Sequence, residues 1–247
     1  MSNTVIFPLG TTSAVQHCVR HLAASGVPIS PGPGSGVTHL LLDVPSFRPN
    51  AQEYLSSTIS RLSPQITVIG GNLDQAEFSG LRCLDLLKKE DYLCRNAMLT
   101  AHCALKFAMP LLSCALYDTP TLIIGWGRIG KCLAKVLRDL NCPVTIAVRG
   151  EKDRCLLRSL GYRTTDPGAA CLRDFRLIFN TAPEPVFGPD RLDPYPDLIK
   201  IDLASRPGLT GSNIHTARGL PGLLAPESSG KLIADTIYRL IQKEEPL

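Results

Sequence analysis

The chain has 247 residues and a mass of 26.7 kDa, with 44% hydrophobic residues, 19% charged residues and a mean hydropathy of +0.08. These values are typical of a globular protein with room for one large domain or two small α/β lobes, and no apolar run approaches the roughly 20 residues of a membrane span. The net charge of +4 is too small and too scattered to indicate a nucleic-acid partner, and it suits an anionic small molecule no better than no charged ligand at all.

The amino terminus and the cysteines predict a cellular compartment. The segment MSNTVIFPLG lacks the basic region and apolar core of a signal peptide, so we expect a cytoplasmic protein. The nine cysteines form no C-x-x-C pair and most lie within apolar patterns, which predicts buried, reduced thiols rather than a metal site or a disulfide framework. His17 and His21 are spaced i, i+4 without a third ligand, so we expect no metal there.

Residues 1–95 alternate between extended and helical patterns. A strand over 4–10 precedes a helix that Thr11, Thr12 or Ser13 caps and that Gly26 ends. The segments that follow are a loop, a buried strand, a helix and a third strand, over 29–36, 38–45, 50–62 and 66–72. This order predicts an open parallel sheet in a flavodoxin-like first lobe.

A second lobe is predicted over residues 96–228. Its first element is a linking helix over 96–109, where alanine and leucine recur at helical spacing until Pro110. Strands are expected at 122–124, 144–148, 177–183 and 198–205, as in a Rossmann sheet. An amphipathic helix over 229–245 is predicted to pack back on the first lobe, and Ser228, Ser229 and Gly230 to cap it.

The stretch LIIGWGRIGKCLAKVLRDLNCPVTIAVRG, residues 122–150, contains a G-x-G-x-x-G turn between a strand and a helix. In this context the turn predicts a dinucleotide site, because its glycines allow close approach and free N–H groups at the helix start meet the pyrophosphate. The predicted cofactor-binding residues of the turn are Gly125, Trp126, Gly127, Arg128, Ile129 and Gly130. Glycines that serve only helix–sheet packing are the alternative.

Arg149 stands where the second strand of such a motif usually ends in Asp or Glu. A carboxylate holds the ribose 2′-hydroxyl of NAD, whereas a guanidinium pairs with the 2′-phosphate of NADP. The sequence therefore predicts NADP as the cofactor. An arginine that is merely solvated at a strand end is the alternative, and Glu151, two residues further on, weakens the NADP interpretation.

Three segments resemble one known family. These segments are DYLCRNAMLTAHCALKFAM, NTAP, and IDLASRPGLT followed by GLPGLLAPESSGKLIADTI. Together they are similar to dipicolinate synthase A proteins from about residue 91 to the end of the chain. The resemblance implies a Rossmann lobe and a flavodoxin-like lobe, as in 2-hydroxyacid dehydrogenases. It also implies an NADP-dependent subunit that, with the flavoprotein-like dipicolinate synthase B, makes pyridine-2,6-dicarboxylate from a lysine-pathway precursor in the mother cell of sporulating bacteria.

The chain departs from the family pattern along the linking helix. Family members carry Asn-(Ala/Ser)-Ile-Pro-Thr-x-Glu-Gly there, and this chain keeps Asn96 and Thr100 but has His102 in place of the glutamate. The segment between Asp202 and Gly219 is also shorter than in the family. The resemblance is therefore to a compact or divergent member.

Candidate site residues follow the strands of the second lobe, because ligands of open α/β sheets bind at the carboxyl ends of the strands. Asn180, Thr181 and Ala182 are predicted to contact the cofactor. Arg206 is predicted to anchor a substrate carboxylate and Ser205 to donate a hydrogen bond to it. A surface arginine in a Pro-Gly loop is the alternative for Arg206. Asp202 is predicted either to act in catalysis or to stabilise a turn.

The remaining candidate residues lie on the linking helix and before the last helix. His102 is predicted either to transfer protons in place of the family glutamate or to pack in an apolar helix. Asn96, Thr100, Pro221 and Gly222 are predicted substrate-binding residues, the last two within a turn that approaches the ligand.

Functions from two classes are compatible with these residues. The preferred hypothesis is an NADP-dependent oxidoreductase subunit of the dipicolinate synthase type, which acts on a small dicarboxylate, forms a homo-oligomer and works with the flavoprotein-like partner. The alternatives are an NADP-dependent dehydrogenase of another small carboxylate, and a protein that binds or senses NADP without catalysis. No nucleic acid, membrane or metal is expected.

Overall fold

A computed structural model describes residues 4–46, 58, 65–74 and 78–243 of the chain. The longer helices are α1 to α4 and α7, and α5 and α6 are short; in order they span Ser13–Ala24, Glu90–Ala108, Arg128–Asp139, Glu151–Ser159, Pro189–Leu192, Leu220–Leu224 and Pro226–Lys243. The strands β1 to β10 span Ile6–Pro8, His39–Leu41, Thr67–Gly70, Arg82–Asp85, Thr121–Ile124, Val144–Ala147, Arg163–Thr165, Leu177–Asn180, Ile199–Asp202 and Ile214–Thr216. Single 3-10 turns are formed by Leu86–Lys88, Met109–Leu111, Leu116–Asp118 and Leu172–Asp174.

The chain divides into two compact units, and we call them the first and second lobes. The first lobe comprises Met1–Asn96 and Pro221–Leu247, and the second comprises Ala97–Leu220. Helix α2 therefore begins in one lobe and ends in the other. Residues 221–228, which the sequence assigned to the second lobe, group with the first.

The first lobe contains a parallel sheet of order β1-β2-β3-β4. Ile29 forms an isolated parallel bridge to Ile6, so an incomplete strand adjoins β1. With this bridge the sheet has the flavodoxin-like order 2-1-3-4-5, in agreement with the prediction. Thr12 caps α1 by accepting a hydrogen bond from Val15 N at 3.3 Å. The predicted helix over 50–62 lies outside the described residues, apart from Thr58.

Helix α7 packs on α1 and completes the core of the first lobe. Leu232, Ile233 and Ile237 are buried together with Val15 and Cys18 of α1. The predicted return of the carboxyl-terminal helix to the first lobe is confirmed, but its predicted start at residue 229 is wrong. The helix begins at Pro226, so Ser228, Ser229 and Gly230 lie inside its first turns rather than at its cap.

The second lobe is a doubly wound parallel sheet of order β10-β9-β8-β5-β6-β7. Counted from β5 along the chain this is the Rossmann order 3-2-1-4-5-6, which reverses direction between β5 and β8. The strands β5 and β8 are wholly buried, because helices cover both faces of a parallel sheet. The predicted fold class, an α/β protein with a flavodoxin-like and a Rossmann lobe, is confirmed.

The environments of the cysteines differ from the expectation. Only Cys18, Cys103 and Cys142 are buried, whereas Cys94, Cys155 and Cys171 are exposed. Burial raises the pKa of Cys18 to about 12, which keeps this thiol protonated and unreactive. Among the described residues no helix is long and apolar enough to cross a membrane.

Candidate functional site

The glycine turn connects β5 to α3 and opens one side of a groove of about 490 Å³ in the second lobe. Gly125 has φ +96°, and a Cβ there would lie 2.8 Å from Thr181 Oγ1. A Cβ on Gly130 would lie 2.4 Å from Gly125 O, so these two glycines are required by the fold. A Cβ on Gly127 would meet no protein atom within 4 Å. Gly127 therefore faces the open groove, where a pyrophosphate would need close approach to the backbone.

The amino end of α3 is available to an anion. Gly127 is its N-cap residue, and no described side chain caps this end. The N–H groups of the first turn and the helix dipole favour negative charge there. Trp126 lines the groove and packs edge-on against Tyr162, with 5.7 Å between the two ring centres. Lys131 Nζ lies 5.9 Å from the centre of the Trp126 ring.

Arg149 lies at the mouth of the groove, just after β6. Its Nη1 donates to Glu184 Oε2 at 3.1 Å and its Nη2 donates to Pro185 O at 3.3 Å. Both charged side chains are more than 60% exposed, at 63% and 69%, so the pair is exchangeable with an incoming anion. Glu184 was not predicted, since it follows the NTAP segment rather than the usual acidic position.

Glu151, the acid that weakened the NADP interpretation, forms its ion pairs with arginines other than Arg149. It pairs with Arg154 and Arg158 on its own helix, each at 2.7 Å. The Arg158 guanidinium, followed by that of Arg154, lowers the Glu151 pKa to about 2. Arg154 Nη1 also donates to Val148 O and Arg149 O at 2.8 Å, which holds the end of β6. Asp153, by contrast, does line the groove.

Asn180 and Asp202 form a buried pair at the carboxyl ends of β8 and β9. Asn180 Nδ2 donates to Asp202 Oδ1 at 2.9 Å, and both residues are at most 1% exposed. Asp202 also accepts from Ala204 N at 3.0 Å, Gly208 N at 2.8 Å and Leu209 N at 3.1 Å. Because both carboxylate oxygens are engaged in the loop, this geometry favours the turn role of Asp202 over the catalytic one.

The same loop explains why the DLASRPG segment ends in glycine. A Cβ on Gly208 would lie 2.3 Å from Asn180 Nδ2, so a glycine is needed where the loop crosses β8. The residues after β8 are held by two hydrogen bonds. Thr181 Oγ1 donates to Ile124 O at 2.8 Å, and Ala182 N donates to Asn180 Oδ1 at 3.2 Å. Thr181 and Ala182 line the groove, whereas Asn180 stands behind it. Asn180 therefore holds the residues after β8 in place and does not itself line the groove.

Ser205 and Arg206 are exposed at the tip of the loop that Asp202 and Gly208 hold. Arg218, just after β10, reaches the same loop through Nε, which donates to Ala204 O at 3.0 Å. The structure thus places Arg206 and an unpredicted second arginine after the neighbouring strands β9 and β10. A three-residue strand before Arg218 left no recognisable sequence signal.

His102 lies elsewhere on the second lobe. It is exposed on α2 and lines an apolar groove of about 560 Å³ with Met98, Leu105 and Val136, among others. This groove shares no residue with the groove at the glycine turn. His102 is therefore not part of the groove at the glycine turn, and its exposed side chain does not fit the alternative prediction of a packing residue.

The four other predicted substrate residues are divided between the lobes. Thr100 is buried in α2 within the second lobe. Asn96, on the same helix, is the last residue before the chain passes from the first lobe to the second. Pro221 and Gly222 belong to the first lobe and lie in α6, a short helix where the sequence predicted a turn. Their contact with a substrate remains a prediction.

Known proteins include a divergent relative of this chain. No family model matches the chain. The chain is 23% identical to dipicolinate synthase A of Bacillus subtilis strain 168 over 239 residues, with 89% of this chain and 78% of that protein covered. The resemblance to dipicolinate synthase A is confirmed, as that of a divergent relative.

Solved structures show the same fold over the whole chain. Dipicolinate synthase A from Bacillus subtilis has a TM-score of 0.79 at 18% identity and covers 99% of both chains. Its counterpart from Bacillus halodurans has a TM-score of 0.78 at 19% identity, with 97% of this chain and 98% of that chain covered. An NAD complex of a D-isomer specific 2-hydroxyacid dehydrogenase from Lactobacillus delbrueckii ssp. bulgaricus has a TM-score of 0.51 at 11% identity, covering 99% of both chains. The fold is therefore one that nicotinamide-dependent oxidoreductases use.

Proposed function

We propose that the chain is an NADP-dependent oxidoreductase subunit of the dipicolinate synthase type. The observation that carries this proposal is Arg149 at the mouth of the groove beside an uncapped helix start and the open Gly127. The turn accommodates the pyrophosphate, and the guanidinium is placed for the 2′-phosphate. When bound, NADP would supply hydride transfer to or from the nicotinamide ring.

The substrate in this proposal is a small dicarboxylate of the dihydrodipicolinate type, and the product is pyridine-2,6-dicarboxylate. Arg206 holds one carboxylate and Ser205 donates a hydrogen bond to it, both from a loop that Asp202 and Asn180 make rigid. The similarity to dipicolinate synthase A supports the flavoprotein-like dipicolinate synthase B as the partner. In the same proposal the chain forms a homo-oligomer in the cytoplasm of the mother cell of a sporulating bacterium.

Two measurements test the proposal. Fluorescence titration should show NADPH binding at least about tenfold tighter than NADH, as one charge-assisted contact predicts. The chain, the flavoprotein from its own genome, NADP and the dihydrodipicolinate-type precursor should together form dipicolinate, followed by its ultraviolet absorbance. Preference for NADH, or undiminished product without this chain, would contradict the proposal.

A non-catalytic protein that binds or senses NADP is the second candidate. The engaged oxygens of Asp202 and the position of His102 in a different groove favour it, because neither of these two predicted catalytic residues lines the groove at the glycine turn. The two candidates differ in the assay above. The sensing protein would bind NADPH with the same preference, and the partner would form product in its absence.

A further inference from the structure

Two arginines occupy the carboxyl edge of the β9–β10 half of the sheet. Arg206 lies in the loop after β9 and Arg218 directly after β10, and both are exposed. Among the residues that the structure describes, neither guanidinium is paired with a carboxylate, and Arg218 contacts only a backbone carbonyl. Both guanidinium groups are therefore available to pair with a bound dianion.

The position of Arg218 is fixed by the rigid loop. Its Nε donates to Ala204 O, and Ala204 N in turn donates to the buried Asp202. The contact uses only Nε, so Nη1 and Nη2 keep their donors for a ligand. Ala204 is two residues from Arg206, and two residues span at most about 7 Å, so both arginines belong to one small region.

The two arginines follow strands in the half of the sheet opposite to Arg149, which is the proposed contact of the 2′-phosphate. A dinucleotide crosses a doubly wound sheet at the point where the strand order reverses, which here lies between β5 and β8. Arg149 follows β6, on one side of that point, and would hold the adenosine half of the cofactor. The nicotinamide half would then lie toward β8 and β9, next to Arg206 and Arg218.

We propose that Arg218 is a second carboxylate anchor, which makes the site selective for substrates with two carboxylates. The inference rests on the proposed function and names its substrate class. Arg206 receives one carboxylate and Arg218 the other, each through the paired N–H groups of a guanidinium. Arg218 acts as a specificity-determining residue and takes no part in proton transfer.

The test compares a dianion with a monoanion of the same ring. Calorimetric titration measures pyridine-2,6-dicarboxylate and pyridine-2-carboxylate binding to the NADPH-loaded protein, in the wild type and in Arg218→Ala, Arg218→Lys and Arg173→Ala. The wild type should bind the dicarboxylate at least about tenfold more tightly. Arg218→Ala should lose that preference while its affinity for the monocarboxylate stays within about twofold, and Arg218→Lys should keep part of it.

Arg173→Ala is the matched control, since this exposed arginine lies at the opposite, amino end of β8. It removes one charge from the same lobe and should leave both affinities unchanged. Thermal unfolding of each variant shows whether the fold is intact.

Three outcomes overturn the proposal: no wild-type preference for the dicarboxylate, an equal preference in Arg218→Ala, or loss of NADPH affinity in that variant. The first includes a wild type that binds neither ligand. Failure of the proposed function is distinct, because a wild type that selects the dicarboxylate without forming product with its partner contradicts the activity and leaves the two-arginine site standing.

Discussion

At the scale of single residues, the proposed preference for NADP rests on Arg149 and on the Glu184 carboxylate that pairs with it. Arg149→Ala should weaken NADPH by about 1.5 kcal/mol, roughly tenfold, and leave NADH unchanged, because only the phosphate uses the guanidinium. Glu184→Gln removes the exposed competitor at 3.1 Å and should tighten NADPH about twofold. Titration of both cofactors at two salt concentrations measures this, and equal loss of NADH and NADPH in Arg149→Ala would exclude a phosphate-specific role.

Two glycines of the same turn separate binding from folding. Gly127→Val places its side chain in open space, so its free energy of unfolding should stay within about 1 kcal/mol of the wild-type value while NADPH binding is lost. Gly130→Val pushes against Gly125 O at 2.4 Å and should lower stability by about 3 kcal/mol as well. Calorimetric unfolding and cofactor titration of both variants provide the comparison. Unchanged NADPH affinity in Gly127→Val would make the turn purely structural.

At the scale of elements, helix α4 begins with an ion-pair cluster that supports the end of β6. The folded-state pKa of Glu151 is lowered from 4.5 to about 2, so its stabilising effect is present above pH 4.5 and is lost as the pH falls toward 2. Glu151→Gln should therefore be less stable than the wild type at pH 7, and this difference should shrink between pH 5 and pH 3. Asp197→Asn, which removes an exposed acid outside such a cluster, is the matched control. A difference for Glu151→Gln that is constant with pH would contradict the assignment.

Some helices and strands could be predicted from the sequence and others could not. The strand–glycine–helix signal located β5, α3 and β6 correctly, because backbone conformation fixes the residues needed there. Strands β4, β7 and β10 were missed, since Arg82–Asp85, Arg163–Thr165 and Ile214–Thr216 are short and carry no regular alternation. Lys200 gave no signal either: it is wholly buried in β9, and its ammonium donates to Ser212 O at 3.4 Å.

Within the candidate site, sequence position identified the residues better than their roles. Arg206 and Asp202 both follow β9, yet only the folded loop shows that Asp202 is engaged by backbone N–H groups while Arg206 is exposed. Arg218 and Glu184 were not identified, because each acts through a partner distant in sequence. Pairings of this kind depend on tertiary structure and leave no local pattern.

At the scale of the whole molecule, the chain leaves the first lobe, builds the second and returns, so stability and cofactor binding should separate by lobe. Helix α7 fits against α1 only because residue 230 is glycine: a Cβ there would lie 2.4 Å from Ala14 O and 2.5 Å from His17 Cβ. Gly230→Ala should destabilise the first lobe by about 2 kcal/mol or more, since backbone cannot yield as a flexible side chain does.

Gly36→Ala, with no atom within 4 Å of the new Cβ, is the matched control and should change stability little. Every residue that lines the groove at the glycine turn lies in the second lobe, so NADPH affinity at low temperature should be unchanged in Gly230→Ala. Hydrogen exchange should show faster opening of α1 and α7 in that variant, with β5 and β8 as protected as before. Parallel loss of protection in β5 and β8 would mean that the two lobes unfold as one cooperative unit, and the separation argued from the chain path would be wrong.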